Sequence, residues 1–115
     1  MKSHQIKLNI NLDNENMPEH IDWSATGSDN EMPTQAKAFM LSLWDSNENA
    51  AMRIDLWTKR MRVDEMNDFV FQTLATMADT YTRATKNEAL ANELKEFAAG
   101  FKKKADEFIK QSQDK

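Results

Sequence analysis

The hydrophobic period changes once along this chain, and that change decides the fold class. From Ile6 to Trp57, apolar residues alternate with polar ones or gather in short runs bounded by turn residues. From Asp64 onward they recur every three or four residues. A period of two puts side chains on opposite faces of a strand, and a period near 3.6 puts them along one side of a helix. Strands first and helices afterwards predict an α+β fold. The expected order is β-β-β-β-α-α. A four-stranded antiparallel β-meander covers residues 4–58. Two C-terminal α-helices, over 64–84 and 87–110, pack on one face of it. At 115 residues the chain is expected to form a single domain, 1–115.

Ile6, Leu8, Ile10 and Leu12 alternate with Lys7, Asn9 and Asn11, the pattern of a half-buried strand. Asp13 to Pro18 is turn chemistry. Ile21, Trp23 and Ala25 point inward from a second strand. The stretch from Thr26 to Thr34 is polar, holds Gly27, and is the expected mobile loop.

Ala36 to Met61 then reads as a β-hairpin around the turn Asp45-Ser46-Asn47-Glu48-Asn49. In its first strand Phe39, Leu41 and Leu43 form one face, and Ala38, Met40, Ser42 and Trp44 the other. Both faces are largely apolar, as in a strand covered on both sides. In its second strand Met52, Ile54, Leu56 and Thr58 alternate with Arg53, Asp55 and Trp57. With Ile54 and Leu56 toward the core, Trp57 would lie across the hairpin near Met40 and Trp44. A slip of one residue would reverse that placement. Met40, Trp44 and Trp57 are therefore the candidate protein-interaction residues, because Met and Trp bring large, adaptable apolar area to interfaces.

In the first helical stretch Met66, Phe69, Val70, Leu74, Met77 and Tyr81 share a stripe, with Asp64 as a candidate N-cap. Thr85-Lys86-Asn87-Glu88 fits a capping box opening the second helix, with Asn87 as the alternative cap. Leu90, Leu94, Phe97, Phe101, Ala105 and Phe108 form its expected stripe. Gly100 inside that stripe marks either a close helix crossing or slack. The tail from Gln111 is expected to fray.

Composition narrows the function classes. There is no cysteine, which removes disulfides, thiol catalysis and Cys-based zinc sites. Residues 1–57 carry 4 Lys/Arg and 9 Asp/Glu, so the strand half is acidic and unsuited to neutralising phosphates. Nucleic acid is not an expected partner. No segment reaches the ~18 apolar residues of a membrane span. The N-terminus runs directly into a strand without an apolar leader, so the expected location is cytoplasmic.

Other constellations read as ordinary surface. His20 and Asp22 share a strand face, but no further ligand sits at metal spacing. Lys102-Lys103-Lys104 is diluted by Glu96, Asp106 and Glu107. The acidic pairs Asp64/Glu65 and Asp106/Glu107 point about 100° apart on a helix, and helix-end electrostatics explains the first. There is no phosphate loop, nucleophile elbow or His-Glu-x-x-His motif. No enzyme, cofactor or metal is expected.

Several strings carry a family resemblance. They are Lys7-Leu8-Asn9, Pro18-Glu19-His20-Ile21-Asp22-Trp23-Ser24, Leu41-Ser42-Leu43-Trp44-Asp45, Arg53-Ile54-Asp55-Leu56-Trp57-Thr58-Lys59, Val63-Asp64-Glu65-Met66 and Gln72-Thr73-Leu74-Ala75-Thr76-Met77-Ala78-Asp79-Thr80. Together they resemble the gliding-motility protein family GldC of Bacteroidetes, over nearly the full length. Arg60 and Arg62 depart from its pattern. The resemblance implies a non-enzymatic cytoplasmic accessory of the gliding machinery, linked to type IX secretion, with a protein partner in that machinery and no catalytic residues to carry over. A looser, architectural likeness is to the export chaperone SecB, which implies the alternative of a holdase for unfolded secretion clients. Under both readings the protein is expected to be a homo-oligomer.

Overall fold

The computed structural model describes residues 2–113. Five strands precede two helices: β1 (Ile6–Leu12), β2 (Pro18–Ala25), β3 (Thr34–Ala36), β4 (Ala38–Trp44), β5 (Ala51–Trp57), α1 (Val63–Thr85) and α2 (Glu88–Gln113). The class is α+β, with every strand pair antiparallel. The strands do not form one four-stranded meander. They sort into a three-stranded sheet, β1-β2-β3, and a two-stranded sheet, β4-β5. The physical cause is a bend at Lys37. Before it, β3 pairs back to β2; after it, β4 pairs forward to β5. The chain divides into two compact units, Met1–Met61 and Arg62–Lys115.

In the strand unit, Ile21 is the one large side chain fully buried among the described residues. It sits at the centre of its sheet, opposite Ile10 on β1 and Ala36 on β3. Leu8 faces Trp23 two rungs away, so the alternation read from β1 and β2 lands on one face. The stretch 26–34, expected to be loose, is closed by its own polar groups. Asn30 donates from its side chain to the Trp23 carbonyl at 3.1 Å. Ser28 donates to Ala25 at 2.8 Å, and Thr34 to the Asn30 side chain at 2.6 Å. Gly27 suits its φ of +75°, which would strain a residue bearing a Cβ; that Cβ would also displace the exposed His4 ring, 2.6 Å away. Thr58, 2% exposed, ends the hairpin by donating both its N–H (2.8 Å) and its hydroxyl (3.0 Å) to the Lys37 carbonyl.

In the helical unit, α1 starts at Val63, before the expected Asp64. The Arg62 N–H donates to Glu65 Oε1 at 3.0 Å, closing the first turn. Lys86 takes a left-handed conformation and donates its N–H to Thr82. Asn87 caps α2 by accepting from Leu90 N–H at 3.2 Å. The α2 seam differs from the expected stripe. Ala91 and Ala98 are buried, with Leu94, Phe101 and Ala105 half-buried beside them. Leu90, Phe97 and Phe108 are exposed. Ala91, Ala98 and Ala105 recur every seventh position and so share one side of α2, which Leu94 and Phe101 flank. α2 also continues through Gln111 to Gln113, where the Ser112 hydroxyl donates to Phe108.

Candidate functional site

The β4–β5 hairpin is held by its turn and by its register. Asp45 Oδ2 accepts the N–H groups of Asn47 (3.0 Å) and Glu48 (2.7 Å), and Asn49 supplies a positive φ of 51°. Seven rungs follow, from Trp44 opposite Ala51 to Ala38 opposite Trp57. Directly opposite residues of an antiparallel pair share a face. One face is therefore the ladder Phe39/Leu56, Leu41/Ile54 and Leu43/Met52, apolar on every rung. The other is Ala38/Trp57, Met40/Asp55, Ser42/Arg53 and Trp44/Ala51.

The register places the three expected interaction residues on one face, but not together. Trp57 is diagonal to Met40, within reach of it. Trp44 lies at the far end, six residues along β4 from the rung of Trp57, which is ~20 Å at strand rise. Between them sits an ion pair: Arg53 holds both oxygens of Asp55, at 2.9 and 3.3 Å. Trp44 is 69% exposed and Trp57 60%. Trp57 is thus near Met40 but not near Trp44.

Sequence reasoning assigned the ladder face to the core. In the structure Phe39, Leu41 and Leu56 are half-buried, while Leu43, Met52 and Ile54 are exposed. The signal that could have found this was already visible: two apolar faces on one hairpin need two covers, and a short α+β chain has few elements to provide them.

Other candidates fall elsewhere. His20 faces Asn11, and Asp22 lies between Asn9 and Gln35, so the two neighbours on one strand face meet amides rather than further ligands. No group of three or more His, Cys, Asp or Glu residues suited to a metal occurs among the described residues. Lys102 is engaged by Asp106 (3.1 Å) and Asp68 (3.9 Å) and stands over the Phe71 ring at 5.7 Å. Asp64 pairs with Arg62 at 3.0 Å, which lowers its carboxyl pKa and ties it to the helix start. Within the helical unit an apolar groove of about 450 Å³ is lined by Val63, Phe97, Phe101 and Phe108 beside Gly100. A Cβ on Gly100 would meet nothing within 4 Å, so this glycine marks open space rather than a close crossing. Among the described residues, no helix is long and apolar enough to cross a membrane.

Compared with known proteins, residues 18–107 match the model of a family described as "Gliding motility-associated protein GldC-like". No curated protein and no solved structure matches the chain significantly.

Proposed function

The chain belongs to the GldC-like family of gliding motility-associated proteins, and from that premise we propose that it is a non-enzymatic accessory of the gliding machinery, linked to type IX secretion and acting through protein–protein contacts. The observation that carries the contact mode is the β4–β5 hairpin. It offers apolar side chains to solvent on both faces, with two tryptophans on one and Leu43, Met52 and Ile54 on the other. Exposed clusters of this kind mark association surfaces. Met40, Trp44 and Trp57 are the residues assigned to partner contact, and the protein works as a homo-oligomer in the cytoplasm. The family match crosses both compact units, which supports reading residues 1–115 as one functional domain.

The test is genetic. Deleting the gene in its own bacterium should reduce colony spreading and cell gliding, and the wild-type gene should restore both. A Trp44→Ala/Trp57→Ala gene should not restore them, although the variant accumulates normally and stays folded. Full rescue by that variant would remove the hairpin from the function.

A second reading is favoured by the extent of exposed apolar surface, which includes the helical groove as well as the hairpin. A holdase of the SecB type would use such surface for unfolded clients. It should suppress aggregation of an unrelated, chemically unfolded protein at near-stoichiometric amounts, whereas a specific adaptor should leave that aggregation unchanged.

A further inference from the structure

The hydrogen-bond phase of the hairpin shows what its outer edge presents. The Asp45 N–H donates to Ala50 and the Thr58 N–H to Lys37. Hydrogen-bonded rungs alternate along an antiparallel pair, so Phe39/Leu56, Leu41/Ile54 and Leu43/Met52 are the hydrogen-bonded ones. The N–H and C=O groups of Ala51, Arg53, Asp55 and Trp57 therefore point away from β4. No strand pairs with that edge among the described residues. β5 is seven residues long and carries no proline and no bulge; its two charges, Arg53 and Asp55, are of opposite sign and so do not repel a second copy of the same edge. Natural edge strands are normally blunted by such devices. A lone two-stranded ribbon is also only marginally stable, whereas a sheet of three or more strands is not.

The sequence of this edge is complementary to itself. About Ile54, Arg53 mirrors Asp55, Met52 mirrors Leu56, and Ala51 mirrors Trp57. We infer that two copies of this chain join by antiparallel pairing of β5 with β5 across a twofold axis at Ile54, making one four-stranded sheet. The inference rests on the reading of the protein as a self-assembling adaptor, and it names the edge and the register.

Three consequences fit residues already described. Arg53 of each copy meets Asp55 of the other in hydrogen-bonded rungs, so opposite charges select this register and like charges penalise a slip of two residues. Both side chains are close to half exposed, at 45% and 42%, and free to exchange partners. Ala51, which faces Trp44 within its own hairpin, receives Trp57 of the second copy on its other side. The small alanine thus lets two indoles that lie at opposite ends of one hairpin approach each other across the junction. Finally, the twofold axis stands perpendicular to the sheet, so the Phe39/Leu56, Leu41/Ile54 and Leu43/Met52 ladders of both copies fall on the same face. That gives one continuous apolar surface for the protein partner.

The β4 edge has no charge pair to choose a register. Self-pairing about Leu41 would set only Met40 against Ser42, Phe39 against Leu43 and Ala38 against Trp44.

The experiment uses the full chain and two exposed charge changes. Wild-type protein should show twice the 13.3 kDa chain mass by light scattering. Arg53→Asp alone and Asp55→Arg alone should each raise the dimer dissociation constant by at least about tenfold, through like charges facing across the twofold. Mixed one to one, the two variants should recover the dimer, as heterodimers in which every Asp meets an Arg. Persistent dimers of either single variant, or no recovery on mixing, would overturn the register. A wild-type monomer would overturn self-assembly as well, while the motility assignment would still stand on the genetic test.

A second measurement uses the absence of native cysteine. Residue 54 would face its own copy in a non-hydrogen-bonded rung, with Cα atoms ~4.5 Å apart, inside disulfide range. Ile54→Cys should oxidise to a linked dimer and Leu41→Cys should not. The reverse result would move the junction to β4 and refute the inference.

Discussion

Along the helical hairpin α1–α2, three alanines (Ala78, Ala91 and Ala98) lose essentially all contact with solvent. Along the strand hairpin β4–β5, Leu43, Met52, Ile54 and both tryptophans keep more than half of theirs. The strand hairpin is the more apolar of the two and closes no seam of its own, whereas the helical hairpin closes its alanine seam and leaves Val63, Phe97 and Phe108 exposed outside it. The difference lies in how each element treats its backbone. A helix satisfies its own N–H and C=O groups and needs a partner along only one stripe, so two helices with a small-residue seam go far toward completing each other. A two-stranded ribbon has two faces and two unpaired edges, and the hairpin partner covers none of the faces. One hairpin buries a seam between its own two elements, and the other leaves both faces for whatever covers it.

The sharpest way to break that contrast is to overfill the helical seam. Ala98→Leu forces three heavy atoms into a closed contact and should cost about 1–3 kcal/mol, read as a fall in the unfolding midpoint of α1–α2. An unchanged midpoint would mean the seam is not tight. The same hairpin can be sharpened at its turn. Lys86 has a φ of +64°, which a side-chain-bearing residue adopts at a cost of about 1 kcal/mol. Lys86→Gly should recover much of that and raise the midpoint; a lower one would show that the lysine side chain contributes more than the strain removes.

In the strand hairpin, Leu43→Ser should change monomer stability by less than about 0.5 kcal/mol, since the side chain is already exposed. A loss of several times that value in denaturant titrations would show that Leu43 is buried in the working form of the chain.

The smallest effect is an acid one. Asp13 accepts Lys59 Nζ at 2.8 Å and the N–H groups of Met17 and Glu15. These partners, Lys59 first, lower its pKa from 3.8 to about 2. A depressed carboxylate adds stability that is complete above its unfolded value and is lost as pH falls through the folded one. Between pH 4 and pH 2 the wild type should therefore lose slightly more stability than Asp13→Asn. Parallel acid titrations of the two would show that Asp13 stabilises nothing.

Much of this was legible in the sequence. β1, β2, β4 and β5 and both helices follow from local periodicity, and the turns at Asp13 and Asp45 follow from side chains that bond their own backbone. The shared face of Met40, Trp44 and Trp57 could also be reached by counting residues along two strands. The separation of Trp44 from Trp57 follows from the turn at Asp45, which leaves Trp44 beside the turn and Trp57 at the open end of the hairpin. The α2 stripe could be read two ways. Leu90, Phe97 and Phe108 carry the stronger hydrophobic signal, yet Ala91 and Ala98 are the residues buried.

The amino-acid order by itself determined the α+β class, the succession of strands and helices, the acidic strand half and the family, since each is written in local composition and pattern. Tertiary structure alone decided the division into two sheets at Lys37, the alanine seam and the exposure of Leu43, Met52 and Ile54. Those depend on contacts between residues distant in sequence, where register and available volume, rather than hydrophobicity, choose the partner.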